Sequence, residues 1–258
     1  MIFAPTNELM VTTITRPLVR ERAIQPAALG PSRRRFLTLS SAFLIAGVRR
    51  ASAQSDGWFP ITSDEGKPVA NLRLPVELFS EVDELPGLIR LGSGTPEVTL
   101  VEFYDYNCPY CRRAASDLEA LLAADHGLQL GLVNNPILSP GSKNAARIEL
   151  AVLELRGPTL AYQFHKQLYR RPGRIDGTRA TAVAAEIGLD AKKVAQVGNG
   201  PEVASTLHRQ LDLAASLGFA ATPSFLIAGA GVLGYPGTKS LARIIASVRS
   251  CDAIACPE

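Results

Sequence analysis

The amino-acid sequence predicts an α/β fold in which one sheet is interrupted by an inserted all-helical domain. Three observations carry that prediction. A β-branched and aromatic run at 98–105 leads straight into Cys108-Pro109-Tyr110-Cys111, after which the pattern turns helical. Residues 142–217 then show helical spacing almost throughout. Beyond Thr222-Pro223 the pattern returns to strand, strand and helix.

Taken in order, residues 54–95 are punctuated by Gly, Pro and Asp, carry one amphipathic stretch at 76–88, and read as an N-terminal extension without a compact domain. The run at 98–105 reads as a buried strand. Pro109 suits the first position of a helix, where its fixed φ and missing N–H do no harm. Ala114, Ala115, Leu118, Leu121 and Leu122 give that helix an apolar stripe, and Asp125-His126-Gly127 should end it. A second strand follows at 128–133. Helices are expected at 142–155, 158–170, 178–187 and 201–217, broken by Gly157-Pro158, Pro172-Gly173, Gly188 and the residues 198–201. A strand at 224–228, a turn at 229–231, a strand at 232–235 and a helix at 239–248 close the pattern. This order is that of a thioredoxin-like core at 96–139 and 218–250, with a helical insertion at 140–217 and a tail at 251–258.

Composition is ordinary for a globular chain of 258 residues, with 47% hydrophobic and 20% charged residues. The net charge of +3 is unevenly spread, because residues 1–53 hold eight arginines and two acids. The basic excess therefore belongs to one end, and a nucleic-acid partner loses its footing. Within that end a charged stretch, Arg33-Arg34-Arg35, precedes a short apolar run at 36–48 and then Ala51-Ser52-Ala53. These are the three parts of a cleavable export signal, with the cut expected after Ala53. The run falls short of the roughly 20 residues that span a bilayer, so no permanent membrane span is expected. Ser32 to Leu37 matches the twin-arginine export pattern, and Arg49-Arg50 after a modestly apolar run favours that route over general secretion. Met10 is an alternative start. The expected location is the periplasm, where disulfides form and persist.

All four cysteines fall in the part expected to be mature, spaced C-x2-C and C-x4-C. A dithiol catalyst needs one accessible sulfur that ionises easily and a second within bridging distance. Cys108, at a helix N-terminus, meets unsatisfied N–H groups and the positive end of the helix dipole, which should lower its pKa from about 8.5 to roughly 3.5–7. Cys111 lies one turn later on the same face, so a redox-active Cys108–Cys111 disulfide can form. Pro109 and Tyr110 between them tune the potential. Half of a zinc site and a purely structural bridge are the alternatives; the C-terminal pair has an unusual spacing for zinc, and no metal or cofactor is expected.

Val101-Glu-Phe-Tyr-Asp-Tyr-Asn-Cys-Pro-Tyr-Cys111 resembles the active-site segment of bacterial DsbA-like thiol:disulfide oxidoreductases. The resemblance continues through 136–142, Phe164-His165, 187–190, 217–227 and the closing helix, covering roughly 95–250. It implies a thioredoxin fold with a helical insertion and an enzyme that makes, breaks or reshuffles disulfides in exported proteins. It also implies a cis bond between Thr222 and Pro223, facing the cysteines, and a buried proton-handling role for Glu102; the residues alone also allow a solvent-facing strand glutamate. One departure stands out: relatives often carry an arginine, an acid and an aromatic where this chain has Val133, Asn134 and Asn135.

His126, His165 and His208 show no metal spacing, and His165 reads as structural. Arg170, Arg171 and Arg174 read as a solvated loop, with substrate docking as the alternative. Cys251 and Cys256 are expected to form a small structural disulfide, with a second redox relay or free thiols as alternatives. The expected partners are exported cysteine-containing proteins and a membrane or soluble redox partner. Residues 54–95 are short for the dimerisation domain of isomerases, which favours a monomer and net oxidation over isomerisation or reduction. A redox-silent binding module or chaperone is the reading from a different class.

Overall fold

In the computed structural model, residues 58–257 are described. The export signal expected at 1–53 lies outside them. Thirteen elements follow in chain order: β1 (Asn71–Arg73), α1 (Val76–Glu81), β2 (Ile89–Gly92), β3 (Val98–Tyr104), α2 (Pro109–Ala124), β4 (Leu128–Asn134), α3 (Pro140–Arg170), α4 (Gly177–Glu186), α5 (Ala191–Gly198), α6 (Pro201–Ser216), β5 (Ser224–Ile227), β6 (Ala230–Leu233) and α7 (Thr238–Cys251).

The strands make one mixed sheet in the order β1-β6-β5-β3-β4-β2. β3 is central, parallel to β4 and antiparallel to β5, which explains its near-continuous apolar sequence. Successive side chains on a strand point to opposite faces. Val98, Leu100 and Tyr104 accordingly join the core that α2, α3 and α7 cover. Val101 and Phe103 join the opposite core, made with Val82, Leu85, Leu213 and Phe219. Glu102 shares the parity of Leu100 and Tyr104, so it points toward the helix that carries the cysteines. This thioredoxin-type sheet with its helical insertion is the fold class read from the sequence.

Several details differ from that reading. Residues 54–95, read as an extension, supply both edge strands: β1 pairs with β6 and β2 with β4. Strands of three and four residues have too little periodicity to be seen without their partners. α5 was not expected; it is only eight residues long, but Asp190 caps it by accepting from Lys193 N at 2.9 Å, and Val194 is buried. The hairpin turn is tighter than expected. Ile227 pairs with Ala230, leaving Ala228 (φ 47°) and Gly229 (φ 71°) as a two-residue loop with positive φ at both positions. Gly231 therefore lies in β6, where a Cβ would come within 2.8 Å of the Phe219 ring. The expected break at Gly157-Pro158 is a kink inside α3, with Gly157 at φ 78°.

Two long-range contacts position the rest. The Asp64 carboxylate accepts from Lys239 N at 3.1 Å and Ser240 N at 2.7 Å, capping α7 in place of its own N-cap residue, Gly237. At the other end of α7, Arg249 pairs with Glu97 and Asp125. Among the described residues no helix is long and apolar enough to cross a membrane.

Candidate active site

The loop from β3 to α2 is shaped by Asp105. Its buried carboxylate accepts from Asn107 N at 2.7 Å and Leu138 N at 2.8 Å, and its carbonyl accepts from Cys108 N at 3.0 Å. Such Asx geometry turns the chain out of the strand and into the helix. Cys108 thereby becomes the N-cap of α2, with extended backbone (φ −80°, ψ 121°) and Pro109 at the first helical position. Cys111 sits in the first turn and is fully buried, and Tyr110 between them is 60% exposed. Neither sulfur is bonded to the other.

The Thr222–Pro223 bond is cis. It brings the Thr222 carbonyl to 3.1 Å from Cys108 Sγ, which donates to it. β5 leaves directly from Pro223, so its antiparallel pairing with β3 sets this loop beside the start of α2. Residues 114 positions apart in sequence thus meet at one sulfur.

The two thiols differ sharply in acidity. Cys108 is lowered from an ordinary 9.0 to about 6. The largest cause is the Cys111 thiol, which donates to it; burial opposes, and the Cys111 and Tyr110 amides add to the lowering. The two amides are first-turn donors that a helix N-terminus presents. Cys111 is pushed far up, first by burial, then by its bond to Cys108 and by the acidic groups Glu102 and Cys108 beside it. One sulfur is poised as a thiolate and the other held as a thiol.

Glu102 is 1% exposed, and neither carboxylate oxygen has a hydrogen-bond partner among the described residues. It is therefore not the solvent-facing glutamate that the residues alone allowed. Burial, reinforced by the Cys108 charge, raises its pKa well above the ordinary value, so it is held as a neutral carboxylic acid. A neutral acid with no other partner can give up a proton, and take it back as the carboxylate, without breaking an ion pair.

Behind the cysteines lies a buried polar cluster that sequence reasoning missed. Glu149, on α3, is fully buried. It accepts from the hydroxyls of Tyr104 and, at 2.6 Å, Tyr106, and from Asn134 Nδ2 at 2.9 Å, while His165 Nδ1 lies 3.1 Å away. Burial first, and Glu149 second, raise both phenols, keeping them as donors. The signal in the sequence was a lone acid inside the apolar run at 148–152. His165 has the structural place read for it. Asn134 and Asn135, the departure noted above, complete packing bonds to Glu149 and to the Phe219 carbonyl.

Cys251, the last residue of α7, forms a disulfide with Cys256. Arg249 ties that end of α7 to Asp125, the C-cap of α2. The 16 residues of α2 separate Asp125 from Cys108, about 24 Å of helix at ~1.5 Å per residue.

Sulfurs of such unequal acidity at a single helix end, one only 4% exposed but lining an open cleft and the other fully buried, exchange a disulfide with another dithiol, and the class of protein is a thiol:disulfide oxidoreductase. The comparisons agree. The model of the DSBA-like thioredoxin domain matches residues 99–246, more than half of the chain. A thioredoxin-like oxidoreductase from Silicibacter pomeroyi DSS-3 is 35% identical, with TM-score 0.61, covering 66% of this chain and 98% of that one. The catalytic domain of Proteus mirabilis ScsC (23% identity, TM-score 0.60, 67% and 97% coverage) and oxidised BdbD from Bacillus subtilis (19%, 0.58, 74% and 100%) share the fold. A Na(+)/H(+) antiporter NhaA from Herminiimonas arsenicoxydans is 27% identical over 178 residues, which cover 68% of this chain. The match spans only 28% of the length of that curated relative. The chain belongs to the DsbA-like thioredoxin family.

Proposed function

We propose that the protein works in the periplasm as a net oxidant of exported proteins, with Cys108 as the exchanging sulfur and Cys111 as the resolving one. The observation that carries this is the contrast in acidity between the two thiols. In the oxidising direction a substrate thiolate attacks Cys108 Sγ of the Cys108–Cys111 disulfide and displaces Cys111. The displaced sulfur is a poor thiolate in its buried site and takes a proton, which the neutral Glu102 can supply. A second substrate thiolate then attacks the substrate sulfur of the mixed disulfide. Cys108 leaves as a stabilised thiolate, and substrate has lost two electrons while the Cys108/Cys111 pair has gained them. A low-pKa leaving group speeds that last step and stabilises the reduced enzyme, which makes its disulfide oxidising.

Export is supported by the signal read at 1–53, with cleavage after Ala53. A monomer is supported by the place of residues 71–92, which complete the sheet edges rather than build a dimerisation domain. A membrane or soluble redox partner would return the enzyme to its disulfide form.

The test is trapping in exporting cells. Cys111→Ser should accumulate mixed disulfides with exported proteins, because the attacking sulfur survives without its resolving partner, and Cys108→Ser should trap far fewer. Equal trapping would overturn the roles. Equilibration with glutathione then sets the direction: a potential near about −120 mV marks an oxidant and one near about −270 mV a reductant.

A further inference from the structure

Cys108 opens onto a cleft of about 470 Å³ whose charged lining is all of one sign. Arg112 and Arg174 line it, with Pro109 and Leu138 as apolar surface, and no carboxylate does. Asp105, the acid nearest to Cys108 in the chain, is turned inward and holds two backbone amides.

Both arginines are placed by the fold. Arg112 follows Cys108 by one helical turn, and its backbone N–H donates to the Cys108 carbonyl at 3.1 Å. Its guanidinium donates to the Arg171 carbonyl at 2.8 Å and lies 5.7 Å from the Tyr169 ring centroid. Arg174 is one residue before Ile175, which Asn107 clamps from both sides. Ile175 N donates to Asn107 Oδ1 and Asn107 Nδ2 donates to the Ile175 carbonyl, each at 2.8 Å. Since Asn107 immediately precedes Cys108, the clamp ties the Arg174 loop to the reacting sulfur. Neighbouring Arg170 and Arg171 are paired with Glu119 and Glu186. Among the described residues, Arg112 and Arg174 have no carboxylate partner.

We propose that Arg112 and Arg174 form a carboxylate-docking site beside Cys108, so that favoured substrates carry Asp or Glu next to the reacting cysteine. A guanidinium offers a fork of N–H donors matched to a carboxylate, and a substrate side chain supplies the missing anion. This deepens the oxidoreductase reading and rests on it. Two partly exposed ion pairs give a preference of about fivefold, which salt should erode because the screening length is about 8 Å at physiological ionic strength.

The test uses the full chain carrying Cys111→Ser and three symmetric peptide disulfides with Glu, Gln or Lys flanking the cysteine. The Cys108 thiolate forms a bond to one peptide sulfur, the peptide disulfide breaks, and the second peptide leaves as a thiolate. Mass spectrometry of quenched samples gives each rate. Within each protein the Glu-to-Gln rate ratio cancels any change in the nucleophilicity of Cys108. With both arginines intact, the ratio should exceed that of the Arg112→Gln/Arg174→Gln variant about fivefold, and the Lys peptide should be slowest. Arg209→Gln, a single charge loss at an exposed site outside the cleft lining, should keep the parent ratio. A ratio unchanged by the double variant, or lowered equally by Arg209→Gln, overturns the docking site and leaves the oxidoreductase reading standing. No mixed disulfide with any peptide would overturn both.

Discussion

The acidity of Cys108 makes the reduced protein's stability depend on pH in a calculable way. The perturbation is a change from pH 5 to pH 8 in paired samples, one reduced and one with the Cys108–Cys111 disulfide formed. A thiol lowered from 9.0 to about 6 on folding contributes nothing below its folded pKa. Its contribution grows as pH rises toward the unfolded value, because the unfolded chain then binds the proton that the folded chain has released. The disulfide form has no such proton to lose. Linkage gives about 1.4 kcal/mol at pH 7 and about 2.7 kcal/mol at pH 8 in favour of the reduced protein. Solvent at the cleft mouth screens part of this, so both are upper figures. The same 1.4 kcal/mol makes the couple about 30 mV more oxidising at pH 7 than one with an ordinary thiol. Urea unfolding of the two forms measures the difference, and thiolate absorbance near 240 nm reports the midpoint. A midpoint above 8, or a reduced-minus-oxidised stability flat from pH 5 to pH 8, would refute the reasoning. Cys111→Ala should raise the midpoint, since the Cys111 thiol is the largest source of the lowering.

Glu102→Leu removes a buried acid with no partner, so it should raise urea stability by about 1–2 kcal/mol while slowing closure of the Cys108–Cys111 disulfide about tenfold or more; lower stability with unchanged closure would show that Glu102 is only packing. Glu149→Ala strands two tyrosine hydroxyls, Asn134 and His165, and should cost about 3 kcal/mol or more in the same unfolding assay. Asp64→Ala removes the cap of α7 and should cost about 1 kcal/mol, with the Cys108 thiolate midpoint unmoved. N-terminal sequencing of the exported protein should read from Gln54.

How much was legible beforehand follows the range of the interactions. The strand into Cys108, the helix after Pro109 and the strand after Pro223 were readable because local periodicity and punctuation define them. The reactive pair was readable because a C-x-x-C at a helix start requires only neighbours in sequence. β1 and β2 were not, since strands so short exist through their pairing with β6 and β4. The same holds for Glu149, whose partners come from β3, the loop after it, β4 and α3, and for the Asp64 cap, which crosses more than 170 residues.

Sequence by itself determined the class of chemistry, two thiols one turn apart where a helix begins, because the helix dipole and the first-turn amides are local properties. Tertiary structure alone decided which acid would be stripped of partners, which arginines would face the cleft and which carbonyl would meet Cys108. Those depend on burial and on contacts between distant segments, and burial is a property of the packed chain rather than of any stretch of it.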